Sequence, residues 1–264
     1  MKALVVIPAR FASTRFPGKM LASLCGRPLI EHVWSHAVAA QYASRVVVAT
    51  DDERIASVIR TAGGEAVMTP PDLPSGTDRI EAALRLMERG EQADDVEWVV
   101  NIQGDEPLFT AEELDSLISQ LGGGDMATLA RDIEPDEDPH DSNLVKVVTD
   151  QRGMALYFSR AAIPHIRDPE ERGAVDDSPI PYRIHLGIYA YRREILHRLV
   201  QWPPSPLEKK EKLEQLRALE NGVSIRVIPT RFRSKGVDVP EDISKVEARL
   251  AEVKKTSPVC TNSN

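Results

Sequence analysis

Short apolar runs alternate along the first half of the chain with longer segments in which apolar residues recur at helical spacing. The runs occupy residues 3–7, 45–50, 65–68 and 97–102. Nearly continuous apolar runs of this length, rich in β-branched side chains, are typical of strands buried on both faces of a parallel sheet. Between them, apolar stripes with a period of 3.6 residues predict helices that pack on the sheet. The alternation predicts an α/β fold with a doubly wound, mostly parallel, Rossmann-like sheet.

Helix boundaries are marked by capping residues. Thr110 with Glu113 forms a capping box ahead of an apolar stripe. Residues 205–208, Ser-Pro-Leu-Glu, combine an N-cap, a proline in the first turn and a capping-box glutamate. This pattern predicts one helix from 206 that Asn221-Gly222 ends.

The second half of the chain has a less regular pattern. Strands are predicted at 126–130, 145–148, 155–158, 184–191 and 224–228. Acidic stretches at 134–142 and 167–181 predict surface loops, the second of them mobile. A polar tail over 256–264 is expected to be disordered. We therefore expect a smaller lobe of mixed strands after residue 124.

Composition and charge exclude several classes of function. The chain has 264 residues and a formal net charge of −8, which argues against nonspecific nucleic-acid binding. Two cysteines do not make a disulfide framework. No apolar stretch approaches the ~20 residues that span a bilayer, and the first run is too short for the core of a signal peptide, which needs at least ~7. We therefore expect a cytoplasmic protein.

Residues 8–19 place three cations on one loop directly after the first predicted strand. The sequence is Pro-Ala-Arg-Phe-Ala-Ser-Thr-Arg-Phe-Pro-Gly-Lys. Ligands of open α/β sheets collect at the carboxyl ends of strands, and a polyphosphate offers several oxygens to arginine and lysine. The loop lacks the glycine and hydroxyl positions of a Walker A motif and the G-x-G-x-x-G of dinucleotide binders. It therefore predicts a nucleoside triphosphate held mainly by side chains.

Two aspartates follow possible strand ends and are candidate metal ligands. Asp105 lies just past the strand predicted at 97–102, so it should emerge at the same sheet edge as the cationic loop. Asp238 is the second candidate, with an N-cap on the following helix as the structural alternative. Mg²⁺ prefers hard oxygen ligands and commonly takes one or two protein carboxylates together with phosphates and water.

Six ordered stretches resemble one family of nucleotidyltransferases. The first is the loop at 8–19, and the others are Ser75–Arg79, Asn101–Pro107, Tyr157–Pro164, Arg183–Tyr189 and Gly236–Asp242. Together they are similar to the CMP-Kdo synthetases, the 3-deoxy-manno-octulosonate cytidylyltransferases. The resemblance runs along most of the chain. It implies the fold of nucleotide-diphospho-sugar transferases, with one catalytic domain over 1–255. Residues 1–124 would form the nucleotide-binding half, and 125–255 the sugar-binding and dimerisation half of a homodimer.

The resemblance, combined with the chemistry of each side chain, assigns roles to individual residues. The residues expected to bind CTP lie on the first loop and on the turn at 75–79: Ala9, Arg10, Ser13, Arg15, Lys19, Ser75, Gly76 and Arg79. The residues expected to bind the sugar acid are Gln103, Arg160, His185, Tyr189 and Glu214. The catalytic residues would be Arg10, Lys19 and Asp105, and Mg²⁺ would be held by Asp105 and Asp238.

Structural alternatives remain open at several of these positions. Arg15 and Lys19 could be solvated surface charges. Gly76 could serve a turn, and Asp78-Arg79 could be an ion pair at a helix start. His185 could be a core histidine. Three further residues could lie on a solvated helix face: Glu211, Glu214 and Gln215.

The expected activity is Mg²⁺-dependent transfer of CMP from CTP to the anomeric hydroxyl of 3-deoxy-D-manno-octulosonate (Kdo), with release of pyrophosphate. The resemblance implies a role in supplying lipopolysaccharide or a plant wall polysaccharide. One alternative is activation of another acidic sugar, either 8-amino-Kdo or a sialic-acid-like nonulosonate. Another alternative, from a different class, is a non-catalytic nucleotide-binding protein. No protein side chain stands out as a general base.

Overall fold

The computed structural model describes residues 2–93, 95–167, 182–233 and 235–256. The strands, in chain order, are β1 (Ala3–Ala9), β2 (Ser23–Leu24), β3 (Arg27–Pro28), β4 (Ala43–Thr50), β5 (Glu65–Met68), β6 (Trp98–Asn101), β7 (Met126–Asp132), β8 (Lys146–Thr149), β9 (Ala155–Ser159), β10 (Arg183–Arg192) and β11 (Ile225–Pro229). The helices are α1 (Leu29–Ala39), α2 (Glu53–Thr61), α3 (Gly76–Arg89), α4 (Ala111–Ser119), α5 (Arg193–Leu199), α6 (Pro206–Glu211), α7 (Gln215–Glu220) and α8 (Asp242–Thr256). Each predicted strand is present, with ends shifted by a residue or two.

The main sheet has the strand order β11-β7-β10-β6-β1-β4-β5. Strands β6, β1, β4 and β5 are parallel neighbours, and β7 is parallel to β11. Strand β10 runs antiparallel between β6 and β7. The predicted mostly parallel sheet is therefore confirmed. Strand β10, the one reversed strand among these seven, joins the strands of the two halves of the chain into one sheet. Strands β8 and β9 extend this sheet beside β10, each antiparallel to its neighbour.

Side chains of the central strands alternate between the two faces of the sheet. In β1, Val5 and Ile7 belong to one buried apolar cluster, and Leu4 and Val6 to the other. The first cluster includes apolar residues of α1, α2 and α4, and the second those of α3, α5 and α7. Burial on both faces explains why these strands have nearly continuous apolar sequences. The doubly wound architecture follows directly.

A third apolar cluster fastens the segment before α8 to the sheet edge that holds the first loop. It contains Leu24, Leu29, Val237 and Val246, all less than 1% exposed. The backbone N–H of Val237 also donates a hydrogen bond to the carbonyl oxygen of Asp105, at 2.9 Å. This packing places residue 238 beside the end of β6.

Both predicted capping boxes are confirmed, at Thr110 with Glu113 and at Ser205 with Glu208. The prediction of one helix over 206–220 is wrong. The chain breaks at Lys212, whose φ of 55° is left-handed, and a second helix begins at residue 215. At the break, Leu213 is only 6% exposed and packs into the second apolar cluster.

The structure does not test two further expectations. The expected mobile loop at 167–181 and the tail at 256–264 lie outside the described residues, apart from their first residue in each case. Among the residues that are described, no helix is both long enough and apolar enough to cross a bilayer.

Candidate active site

Two adjoining cavities lie at the carboxyl ends of the central strands. The first, about 260 Å³, is lined by the loop after β1, the turn before α3, the segment after β6 and residue 238. The second, about 520 Å³, lies toward β10 and β7. Ser75, Gly76 and Gln103 line both cavities. A ligand in one cavity can therefore touch a ligand in the other.

The first cavity collects every residue that the sequence assigned to the nucleotide, the catalytic group and the metal. They are Ala9, Arg10, Ser13, Arg15, Lys19, Ser75, Gly76, Arg79, Asp105 and Asp238. The loop is closed by a hydrogen bond from the Gly18 N–H to the carbonyl of Phe11, at 3.1 Å. Gly18 has a φ of 71°, a left-handed conformation that favours glycine. This turn points the chain inward at Lys19.

Lys19 is buried and joins the two aspartates. Its Nζ lies 2.5 Å from Asp105 Oδ2 and 4.0 Å from Asp238 Oδ1. Arg15, whose side chain is 68% exposed, reaches the same Asp238 oxygen at 3.0 Å. A solvated surface charge is therefore the wrong interpretation of Lys19. For Arg15 that alternative stays open, because its side chain is widely accessible to solvent.

The alternative of Asp238 as a helix N-cap is wrong. Helix α8 begins at Asp242, and the Asp242 carboxylate itself accepts hydrogen bonds from the N–H groups of Asp238 and Val239, at 3.1 and 3.2 Å. The Asp238 carboxylate faces Arg15 and Lys19 instead. Two carboxylates thus converge on one ammonium group.

The carboxylate oxygens of Asp105 and Asp238 fit the preferences of Mg²⁺. Asp105 and Asp238 supply two hard oxygen ligands, and the remaining positions of an octahedral ion are commonly filled by phosphate oxygens and water. No group of three or more His, Cys, Asp or Glu side chains that could hold a metal occurs within the described part of the chain. The fit is therefore to a cation shared with a phosphate ligand rather than to an all-protein cage.

The turn at 75–79 is fixed by hydrogen bonds at the start of α3. Ser75 Oγ caps the helix by accepting from the Asp78 N–H at 3.1 Å. Arg79 is 3% exposed, and its Nη2 lies 3.1 Å from Asp51 Oδ2. The alternative of an Asp78-Arg79 ion pair is wrong, since Arg79 binds the end of β4 instead. Gly76 is the first residue of α3 and lies beside the Pro8 ring.

The second cavity opens where β10 changes its partner. The first part of β10 pairs with β8, through Ile184 and Lys146, and the last part of β10 pairs with β6. The register to β7 shifts between Leu186 and Tyr189. Gln103 Nε2 donates across the opening to the carbonyl of Gly187, at 3.4 Å. Strand β10 therefore supplies one wall of this cavity.

Four of the five predicted sugar-binding residues line the second cavity: Gln103, His185, Tyr189 and Glu214. The rings of His185 and Tyr189 lie 5.3 Å apart, although four residues of a regular strand span about 13 Å, and the register shift of β10 lies between them. Burial lowers the pKa of His185 to about 3, so its imidazole is neutral near pH 7. Burial raises the pKa of the Tyr189 phenol well above its usual value. Both groups can therefore exchange neutral hydrogen bonds with hydroxyls.

Glu214 is half-buried at the border between the two cavities. It accepts a hydrogen bond from the Thr77 hydroxyl, and burial raises the pKa of its carboxyl group. Gln215 is 5% exposed, and Glu211 accepts hydrogen bonds from Ser159 Oγ and the Arg160 N–H. The alternative of a solvated face is wrong for all three.

Arg160 is the one predicted sugar-binding residue that lines neither cavity. Its Nε donates to the carbonyl of Glu211 and its Nη1 to that of Ser142, both at 2.7 Å. It thus ties the segment after β9 to α6 and to the loop before β8. Sugar binding by Arg160 stays a prediction.

Sequence reasoning missed Arg131, which lines the second cavity, and Lys146, which does not line it but fixes part of its wall. Arg131 lies at the carboxyl end of β7, and Lys146, fully buried, donates from its Nζ to the carbonyls of Asp141, Leu144 and Arg160. These bonds hold the loop that carries Asn143 and Leu144 to the cavity. Position at a strand end was the signal that could have found Arg131, as it found Asp105.

Comparison with known proteins gives consistent matches. The family model described as Cytidylyltransferase matches residues 4–225. The chain is 44% identical over 259 residues to the 3-deoxy-manno-octulosonate cytidylyltransferase of Trichlorobacter lovleyi, covering 96% of this chain and 100% of the relative. It is 49% identical over 252 residues to the protein of the same name from an Anaeromyxobacter species, covering 95% of this chain and 97% of that one.

Solved structures show the same similarity. A CMP:2-keto-3-deoxy-manno-octonic acid synthetase complexed with CTP is 37% identical, with a TM-score of 0.84 over 96% of this chain and 100% of that one. A 4-diphosphocytidyl-2C-methyl-D-erythritol synthase is 15% identical, with a TM-score of 0.64 over 95% of this chain and 100% of that one. The second likeness concerns the fold alone.

Proposed function

The chain belongs to the 3-deoxy-manno-octulosonate cytidylyltransferase family, and from that premise we propose that it transfers CMP from CTP to the anomeric hydroxyl of Kdo. The observation that carries the proposal is the cluster of Lys19, Asp105 and Asp238 beside the border of two cavities. One cavity has the charges that a triphosphate needs, and the other has the neutral polar groups that a sugar needs.

In the first cavity, the cations Arg10, Arg15 and Lys19 hold the triphosphate, with Ser13 as a further donor. Lys19 is the most buried of the three cations. Its charge is therefore least screened by water, and it acts nearest the α-phosphate, where charge develops. The base and ribose are held by Ala9, Ser75, Gly76 and Arg79. Arg10 and Lys19 together stabilise the pyrophosphate as it leaves.

Mg²⁺ would be held by Asp105 and Asp238. When bound, it supplies positive charge to phosphate oxygens and can lower the pKa of a coordinated hydroxyl. The carboxylates also position Lys19, since its ammonium lies within 4.0 Å of both. Asp105 follows β6 directly and therefore stands between the two substrates.

In the second cavity, Gln103, His185, Tyr189 and Glu214 orient the sugar acid, and Arg160 stays a further candidate for sugar binding. The anomeric oxygen attacks the α-phosphorus, the bond to the pyrophosphate breaks, and the hydroxyl proton is lost to solvent. Proximity and charge stabilisation do most of the catalysis, since positioning two reactants is worth about 7–11 kcal/mol of the barrier. We assign no protein general base.

The experiment that tests this function is pyrophosphate release with each of the four nucleoside triphosphates, crossed with a panel of acidic sugars. We expect CTP with Kdo to give the highest kcat/KM, with Mg²⁺ required. Higher turnover with 8-amino-Kdo or a sialic-acid-like nonulosonate would move the substrate to another acidic sugar. Binding of CTP without pyrophosphate release from any pair would indicate a non-catalytic nucleotide-binding protein.

The remaining expectations concern the protein's setting. We propose that residues 1–255 work as one catalytic domain, that two copies form a homodimer, and that the enzyme supplies lipopolysaccharide synthesis from the cytoplasm. Light scattering at micromolar concentration tests the dimer directly. A monomer that retains full activity would refute the dimer as a requirement for activity.

A further inference from the structure

Arg131 lines the second cavity and does not line the first, which is bordered by the triphosphate loop. It is 8% exposed and stands at the carboxyl end of β7. Strand β7 is two positions from β6 and three from β1 in the sheet. With ~4.8 Å between neighbouring strands, β7 lies about 10 Å from the strand that leads to Asp105. Arg131 is therefore too remote to touch the reacting phosphate and faces the distal part of whatever fills this cavity.

One nitrogen of the Arg131 guanidinium has no hydrogen-bond partner among the described residues. Its Nη1 donates to Glu137 Oε2 at 2.7 Å and to the carbonyl of Asp132 at 3.0 Å, and its Nη2 donates to the other Glu137 oxygen. Its Nε is buried without a hydrogen-bond partner. A buried donor left unpaired costs about 1–3 kcal/mol, so this wall favours a ligand that brings an acceptor.

The carboxylate beside Arg131 already accepts hydrogen bonds from protein groups. Glu137 takes both terminal nitrogens of Arg131 and also accepts from the Glu134 N–H at 2.9 Å. Glu137 does not itself line the cavity; the carboxylate that does, Glu214, lies at the border beside Thr77. Lys212 adds a second cation to the lining. The distal wall therefore offers donors and positive charge, and it lacks a carboxylate for an ammonium group.

We propose that Arg131 binds the tail of the sugar acid and makes the enzyme select a hydroxyl over an amine at the end of that tail. The inference rests on the proposed function. Kdo in its ring form carries a two-carbon hydroxylated tail, and 8-amino-Kdo replaces the last hydroxyl with an ammonium. A hydroxyl oxygen can accept from the guanidinium, whereas an ammonium has no lone pair to offer and meets like charge.

The test compares kcat/KM for Kdo with kcat/KM for 8-amino-Kdo in wild-type protein and in variants. We expect the wild type to prefer Kdo by at least about tenfold, the value of one charge-assisted hydrogen bond. Arg131→Met should reduce that preference to near unity by raising KM for Kdo, with KM for CTP within about twofold because the triphosphate lies elsewhere. Arg183→Met, on the neighbouring strand and outside both cavities, is the matched control and should change neither value.

Glu137→Gln keeps Arg131 and removes its countercharge, so the preference for the hydroxyl should increase. This variant decides the question if Arg131→Met does not fold, as judged by circular dichroism and thermal unfolding. An unchanged preference in a folded Arg131→Met variant, a reduced preference in Glu137→Gln, or a wild type that prefers the amine would overturn the inference. If the wild type releases no pyrophosphate with any sugar acid, the proposed function fails first and this inference falls with it.

Discussion

The two cavities differ in how the chain builds them. Three cations of the first cavity lie on one continuous loop, and two of them meet carboxylates that later segments bring to the same edge. The second is assembled from six separate segments: the turn before α3, parts of strands β6, β7 and β10 with their flanking residues, the loop before β8, and the break between α6 and α7. Charge dominates the first cavity, and neutral hydrogen-bonding groups dominate the second. A triphosphate needs strong local charge, whereas a sugar needs shape and many weak directional bonds.

The largest effect should follow removal of charge where the two cavities meet. Asp105→Asn takes away one of the two converging carboxylates and the closest partner of Lys19. We expect kcat to fall about 10³-fold, the upper range for loss of one preorganised charge in an active site. Asp95→Asn, at an exposed carboxylate that pairs with Lys2, is the control for charge alone and should leave kcat unchanged. Retention of most activity by folded Asp105→Asn would exclude Asp105 as a metal ligand.

Lys19→Met should have the next largest effect. The Lys19 side chain is 9% exposed, so its charge acts on phosphate with little screening, and we expect kcat to fall about 10²-fold. Lys2→Met removes an exposed lysine at the opposite end of β1 and should have no effect. Steady-state kinetics at saturating CTP separates the two variants. Equal loss in both would mean that net charge, and not the position of Lys19, matters.

The sequence predicts more of the first cavity than of the second, because the first is built around one continuous loop and the second from separate segments. The first loop is local, so its residues could be assigned from one motif and its position after a strand. The prediction for Asp238 rests on a possible strand end that is wrong, since the described residues between β11 and α8 form no strand. Its place depends instead on the packing of Val237 and on a backbone bond to residue 105. No local motif in the sequence marks Arg131, and no glycine marks the break of the helix at Lys212. Tertiary contacts decide those positions.

His185, which lines the second cavity, should make the free energy of unfolding depend on pH. Its folded pKa of about 3 lies below the ordinary histidine pKa of 6.5, so between these pH values the unfolded chain binds a proton that the folded chain does not. Stability should therefore fall as pH decreases from 6.5 toward 3, by about 2 kcal/mol between pH 7 and pH 5 from this group alone. His185→Gln cannot titrate and should lose about 2 kcal/mol less over that interval. Urea unfolding at both pH values measures this, and equal losses would refute the shift.

The most direct test that the two cavities bind separate substrates is to measure KM for both substrates in one variant of each cavity. Arg15→Met removes an exposed cation that we propose binds the triphosphate, and Tyr189→Phe removes one phenol hydroxyl while keeping the ring. We expect Arg15→Met to raise KM for CTP about tenfold and Tyr189→Phe to raise KM for Kdo about fivefold, each leaving the other KM within twofold. If either variant raised both KM values equally, the two cavities would not hold separate substrates.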